Sequence, residues 1–276
     1  ASDTVDAIFI WLQDITATGG AFFDATSAVD LGNVSGWNLD ILGGSSLYWI
    51  GGTGSWSDTA HWSATSGGPP AGCVPTFNDN VFFVENSFDT TGQTVTVDIA
   101  ASCNSMFWEN VDSASNFTGN QTISIYGSLQ LDSNMTWNLN HNTTFISDSA
   151  DVDSIDLADN GFIRDVYFNG DGNWELNGDF TVSNSNYGVL FQQGTFVSNG
   201  YEIDAGVRWF ANYNNYQYFD FTGTDTIRMR RDWYMHANGA DSLILGDAII
   251  KIESNVGEHL NSVSYTHLRA HETSNH

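Results

Sequence analysis

The segment Thr122-Ile123-Ser124-Ile125-Tyr126-Gly127-Ser128-Leu129 decides the fold. Ile123 and Ile125 alternate with Thr122 and Ser124, the period-two pattern of a strand with an apolar face turned inward and a small polar face turned out. Short strands follow closely at Trp137-Asn138-Leu139 and Thr144-Phe145-Ile146-Ser147. The same grouping returns at 174–182, 189–191 and 195–198, and once more at 226–229, 233–235, 243–245 and 249–252. Equivalent positions recur after about 50 to 54 residues, a period that belongs to stacked architectures in which each unit buries its face on its neighbours. The expectation is an all-β chain forming a parallel β-solenoid. A tandem β-sandwich is the alternative, because periodicity alone does not separate the two.

Composition agrees with many short strands joined by turns: 27 Gly, only 3 Pro, and abundant Asn, Ser, Thr and Asp. The 276 residues carry 33 Asp plus Glu against 7 Lys plus Arg, a formal charge of -26. Such a surface repels nucleic acid and anionic membranes. A chain this acidic can be disordered, but 41% hydrophobic residues, with 10 Trp, 18 Phe and 10 Tyr, supply the apolar area to offset ordering entropy. No apolar stretch approaches the roughly 18 to 20 residues of a membrane-spanning helix, and the Ala1-Ser2-Asp3 start does not read as a signal peptide. Two cysteines, Cys73 and Cys103, are too few for a cysteine framework or a four-ligand zinc site. They suit one disulfide, worth roughly 3 to 4 kcal/mol for a loop of about 30 residues; the alternative is two separate buried thiols.

Along the chain, residues 1–42 read as the end of a preceding β module, 43–46 as a linker, 47–257 as the solenoid-like module, and 258–276 as a tail of different character. The stretch Leu47-Tyr48-Trp49-Ile50-Gly51-Gly52-Thr53-Gly54-Ser55-Trp56-Ser57-Asp58-Thr59-Ala60-His61-Trp62-Ser63 resembles the opening of a repeated module in very large Bacteroidota surface proteins, the adhesin-like chains that often end in a gliding-motility or type IX secretion sorting domain. Cys73-Val74-Pro75-Thr76, Gly92-Gln93-Thr94-Val95-Thr96-Val97 and Met106-Phe107-Trp108 look like the same module. The resemblance covers about residues 47 to 255. It implies export to the cell surface and a β-rich stalk, and brings no catalytic residues with it. Trp49, Trp56 and Trp62, near His61, read as a cap on the start of the module's core. The segment from Val263 to Thr273 resembles a translated sequencing-adapter read-through, so the tail is expected to be non-native or disordered and without function.

Several motifs carry chemistry on paper. Asp151, Asp153 and Asp156, within a run of five aspartates, could supply the oxygen ligands calcium prefers, though Ile155 breaks the spacing of a calcium loop. Otherwise no cofactor is expected. His267 and His271 are four apart, but Leu268 stands where a zinc protease needs Glu. Arg228, Arg230 and Arg231 could serve a polysaccharide lyase; the plainer reading is that they neutralise neighbouring strand carboxylates. Tyr213, Tyr216 and Tyr218, with Asn214 and Asn215, suit stacking on sugar rings and bonding to hydroxyls. The plainer reading is that alternate rings fill the core. The function expected from all this is a non-enzymatic structural or adhesive module of an extracellular surface protein. A carbohydrate-binding module is the first alternative and a β-helix lyase or glycosidase the second; host, surface or neighbouring-cell glycans or proteins are the expected partners.

Overall fold

The computed structural model describes residues 4–8, 10–19, 21–30, 33–41, 44–111, 114–147, 150–211, 215–235, 242–253 and 259–262. The chain divides into two compact units, Ala1–Ser45 and Ser46–His276. In the first, Thr4–Ile8, Phe22–Asp30 and Asn38–Ile41 run parallel, and Trp11–Leu12 pairs with the end of Phe22–Asp30. Leu12, Ala25 and Ala28 form its small core.

The second unit is a β-solenoid of about seven turns; among the described residues its strands pair parallel but for one capping strand. After the first, capped turn, the chain visits three faces in order. The first face stacks Ser46–Trp49, Asn80–Val84, Met106–Glu109, Leu129–Gln130, Val152–Asp156, Asn173–Leu176, Gly194–Val197, Gln217–Asp220 and Ser242–Ile244. The second begins with Gly54–Ser55, Thr94–Val97, Ser115–Gly119 and Met135–Leu139, and resumes with Phe180–Thr181, Ile203–Asp204, Thr226–Met229 and Ile249–Ile252. Between those two runs, Phe162 makes a single bridge to Val182 and packs against Trp137 at 5.5 Å. The third face stacks Ala101–Cys103, Ile123–Ile125, Thr143–Ile146, Val166–Asn169, Val189–Phe191, Arg208–Ala211, Asp232–Met235 and His259–Ser262. The last of these strands passes the boundary expected at residue 257 and continues the ladder.

Register shows why alternation is decisive. Ile123 lies beside Ala101 and Thr143, and Ile125 beside Cys103 and Phe145; the inward row then runs on through Phe168 to Phe191. Because side chains alternate across a strand, each face sends every second residue into one shared interior. That interior is a single cluster running from Leu47 to Ile250. Ring centroids lie 5.0 Å apart for Phe145 and Phe168, and 5.2 Å for Phe168 and Phe191, the separation that strands hydrogen-bonded about 4.8 Å apart impose.

The repeat is shorter than the sequence spacing implies. Along the third face, Ala101, Ile123, Thr143, Val166, Val189, Trp209 and Trp233 are successive register partners, so one turn takes less than half of that spacing. The longer spacing instead joins strands seven faces apart. Ile123 stands on the third face, Trp174 on the first and Ile227 on the second, each two turns and one face beyond the last.

The first turn is closed by a cap. Trp62–Ser63 pairs antiparallel with Ser46–Trp49 and ends the first sheet. Trp49, Trp56 and Trp62 are all fully buried. Trp49 Nε1 donates to the Gly52 carbonyl (2.7 Å), Trp62 Nε1 to the Trp56 carbonyl (2.9 Å), and His61 stacks on Trp49 at 4.8 Å. A solenoid otherwise ends in unpaired strand edges and an open core, which such a cap covers.

The expected disulfide is not formed: both cysteines are free. Cys103 belongs to the inward row of the third face and is fully buried, whereas Cys73 lies in an exposed position after the cap strand. Strand alternation thus commits one thiol to the core while the other faces solvent. Burial, and secondarily the Asp79 charge, raises both thiols above their ordinary range.

Candidate functional site

The outer surface of the first face carries two aromatic groups of different construction. Near the cap, Tyr48, Phe82 and Phe107 are register partners on three successive turns. Their rings stack on one another at 4.9 and 5.2 Å, nearly parallel, so the central Phe82 lies between two rings, while Tyr48 and Phe107 have Ser63 and Gln130 as their other register partners. On the same side, Val84 and Glu109 help line a shallow cleft with Ser66, Glu85, Asn86 and Asn110. This rail is not foreseen from the sequence, because its members are separated by the variable lengths of the first turns.

The second group lies at the far end. Along Gln217–Asp220, Gln217 and Phe219 are buried, while Tyr218 and Asp220 alternate outward. The Phe219 ring joins the core beside Phe191 (4.7 Å), and Gln217 Nε2 donates to the Phe191 and Gln192 carbonyls. Tyr216, two residues before Tyr218 and 47% exposed, stands at the corner where the strand begins. Asn215 is exposed beside it. Of the residues expected to bind sugar, then, Tyr216, Tyr218 and Asn215 lie on the outside; Tyr213 and Asn214 lie outside the described residues.

The stacked turns bring further groups to this corner. Tyr218 sits in register between Thr195 and Ser242. Extending the register by one residue places Gln193 beside Tyr216, and extending it by two places Asp171 beside Gln193; Gln193 Nε2 donates to Asp171 Oδ1. The corner is tight: Gly194 adopts φ +105°, and a Cβ there would meet the Gly170 carbonyl oxygen at 2.7 Å, so only glycine fits this approach. Its amide donates to the Tyr216 carbonyl (2.9 Å), which fixes the backbone of the exposed tyrosine. Gln193, Thr195 and Asp171 become legible only once the turn length is known.

The aspartates expected to hold calcium divide their roles. Asp153 has the inward parity of Ile155 and is register partner of Trp174; its Oδ2 is enclosed without a hydrogen-bond partner. Burial raises its carboxyl above the ordinary range; a hydrogen bond from Ser147 opposes the rise and the Asp151 charge adds to it. Asp156 instead accepts the Ala158 amide at a turn (2.9 Å). Among the described residues, no three His, Cys, Asp or Glu side chains converge as a metal site would require. His267 and His271 lie outside the described residues.

Each described lysine and arginine has a partner. Arg228 faces Glu202 (3.9 Å), Arg230 holds Asp204 through both terminal nitrogens (3.1 and 3.3 Å), and Arg231 bonds Asp232 (2.7 Å). Arg208 pairs with Asp165 (3.3 Å) and Lys251 with Glu253 (2.5 Å). Arg164 lies over the Tyr187 ring, 4.5 Å from its centroid. The arginine cluster therefore neutralises strand carboxylates, in line with its plainer reading. No known protein family, curated protein or solved structure matches the chain.

Proposed function

We propose that the chain is a non-catalytic structural and adhesive module of a large secreted bacterial surface protein. The observation that carries this reading is the single interior running from Leu47 to Ile250, capped at its first turn by three buried tryptophans. Strands hydrogen-bonded along the stacking axis resist extension, and the aromatic interior leaves outer side chains free to vary. The resemblance of residues 47 to 255 to adhesin-like modules supports the same reading, as does a surface charge that keeps a long chain soluble.

Single-molecule stretching of the full chain tests it. Unravelling of the solenoid should proceed in steps of about one turn, on the order of 7 to 8 nm for roughly 20 to 24 residues at about 3.3 to 3.6 Å each. Beads coated with the chain should adhere to glycan-bearing or bacterial surfaces more than beads coated with unfolded chain. Extension without resistance, together with no added adhesion, would sink the proposal.

A further inference from the structure

We infer that the corner strip built around Tyr216 and Tyr218 is a binding site for neutral oligosaccharides. This rests on the adhesive reading above and gives it a ligand class.

The argument begins with what flanks each ring. Phe82 has Tyr48 on one side and Phe107 on the other, so its faces are occupied by neighbouring rings. Tyr218 has Thr195 and Ser242 as its register partners, both too short to cover an aromatic face. A sugar binds aromatic side chains by laying its C–H surface on the ring face; Tyr218 in the far strip offers such a face, whereas Phe82 at the centre of the rail does not. Tyr216 and Tyr218 are two residues apart on one side of the chain, hence about 7 Å apart along it, the scale of one sugar ring.

Polar groups complete the site. The Gln193 and Asp171 side chains, joined to each other, continue the Tyr216 column over two further turns and supply acceptors for hydroxyl groups. Asn215 adds an exposed amide. The backbone beneath is held by the Gly194 to Tyr216 hydrogen bond and by buried Gln217 and Phe219, so the rings start from a fixed frame and lose little freedom on binding.

Charge selects within the class. Asp171 and Asp220 lie on the strip, the chain carries -26 overall, and the described lysines and arginines are engaged with partners elsewhere. Uronate, sulfated and sialylated glycans therefore meet repulsion, while neutral chains do not.

The test uses the intact chain on an array of neutral and anionic oligosaccharides, with Kd for the best neutral ligand measured by calorimetry. Tyr218→Ala and Tyr216→Ala should each weaken binding about five- to tenfold, as expected for losing one ring contact. Tyr218→Phe keeps the ring and should stay within about twofold. Phe82→Ala, in the rail, should leave Kd unchanged. Circular dichroism and thermal melting verify that each variant folds. A blank array, preference for anionic glycans, or binding indifferent to both tyrosine variants would overturn the inference. If the array is blank while stretching still shows turn-sized steps, this inference fails and the structural proposal stands; loss of the steps with glycan binding retained reverses that outcome.

Discussion

Replacing Phe168 with alanine probes the solenoid's interior most directly. The side chain is fully buried and lies 5.0 Å from Phe145, 5.2 Å from both Phe191 and Trp174, and 5.5 Å from Phe196, measured between ring centroids. Truncating such a residue costs about 3 to 5 kcal/mol, because apolar area is lost and the rigid surroundings cannot fill the cavity. For a unit of this size each kcal/mol moves Tm by about 2 to 4 °C, so the drop should be about 6 to 20 °C. Where the effect falls matters more than its size. In a stacked array, turns contact only their neighbours, so a central defect uncouples the turns before it from those after it. Hydrogen exchange followed by mass spectrometry should show fastest opening in the strands that contact Phe168, namely Thr143–Ile146, Asn173–Leu176, Phe180–Thr181, Val189–Phe191 and Gly194–Val197. Ser46–Trp49 and Asn80–Val84, near the cap, should remain protected. A Tm shift below about 2 °C, or exchange accelerated equally in every turn, would refute the nearest-neighbour account.

The cysteines give a second prediction: a thiol reagent should label Cys73 in the native chain and Cys103 only after unfolding, with mass spectrometry detecting no linked peptide. Because the folded state holds Cys103 protonated above the ordinary thiol range, its stabilising contribution is complete below the unfolded pKa and is lost as pH rises beyond it; Cys103→Val should flatten that alkaline loss. Asp98 behaves oppositely. Burial alone would raise its carboxyl, but the Ser57 hydroxyl (2.6 Å) and amide (3.1 Å) outweigh burial and lower it, so its contribution is present above the ordinary Asp range and lost on acidification; Ser57→Ala should move the Asp98 titration upward by NMR. Asp153, raised chiefly by burial, disfavours its charged form, so Asp153→Asn should raise Tm at neutral pH, with the gain fading below the ordinary Asp range. Melting with and without calcium tests the ion expectation: a calcium-induced rise in Tm that Asp153→Asn abolishes would place an ion there.

How much is legible follows from which physical signal each feature leaves. Alternation such as Ile123 and Ile125 against Thr122 and Ser124 fixes strand faces locally, so the all-β class and the inward rows can be read directly. Parallel stacking excludes the sandwich, but turn length stays hidden. Apolar residues on all three faces look alike in sequence, and the longer spacing matches strands by hydrophobic pattern while crossing from one face to another. The same ambiguity leaves Gln193, Thr195 and Asp171 unconnected to Tyr216, since column membership depends on turn length. The disulfide expectation fails for a related reason: counting cysteines says nothing of parity, and parity places Cys103 inside. Trp49, Trp56 and Trp62 are legible as a cap because so much aromatic bulk set so close together has few other uses.

The division between inner and outer rows also explains where function can reside. Inward positions are coupled through contact to the turns above and below, so Phe145, Phe168 and Phe191 constrain one another's size and shape. Outward positions meet their neighbours on adjacent turns, and those neighbours decide their chemistry. When they are aromatic, as at Tyr48, Phe82 and Phe107, the rings satisfy one another and the column stabilises the stack. When they are short and polar, as Thr195 and Ser242 are beside Tyr218, they are too small to cover the ring between them. Substituting Thr195 with Phe should therefore convert the second arrangement into the first. The variant should melt no lower than the parent, since cross-strand aromatic pairs contribute about 0.2 to 1 kcal/mol each, yet its affinity for a neutral oligosaccharide should fall as Tyr218 loses an open face. Calorimetry on Thr195→Phe beside Thr195→Val separates ring stacking from loss of the hydroxyl. Equal affinity in the Phe variant and the parent would show that the ring face beside Thr195 is not the one a sugar uses.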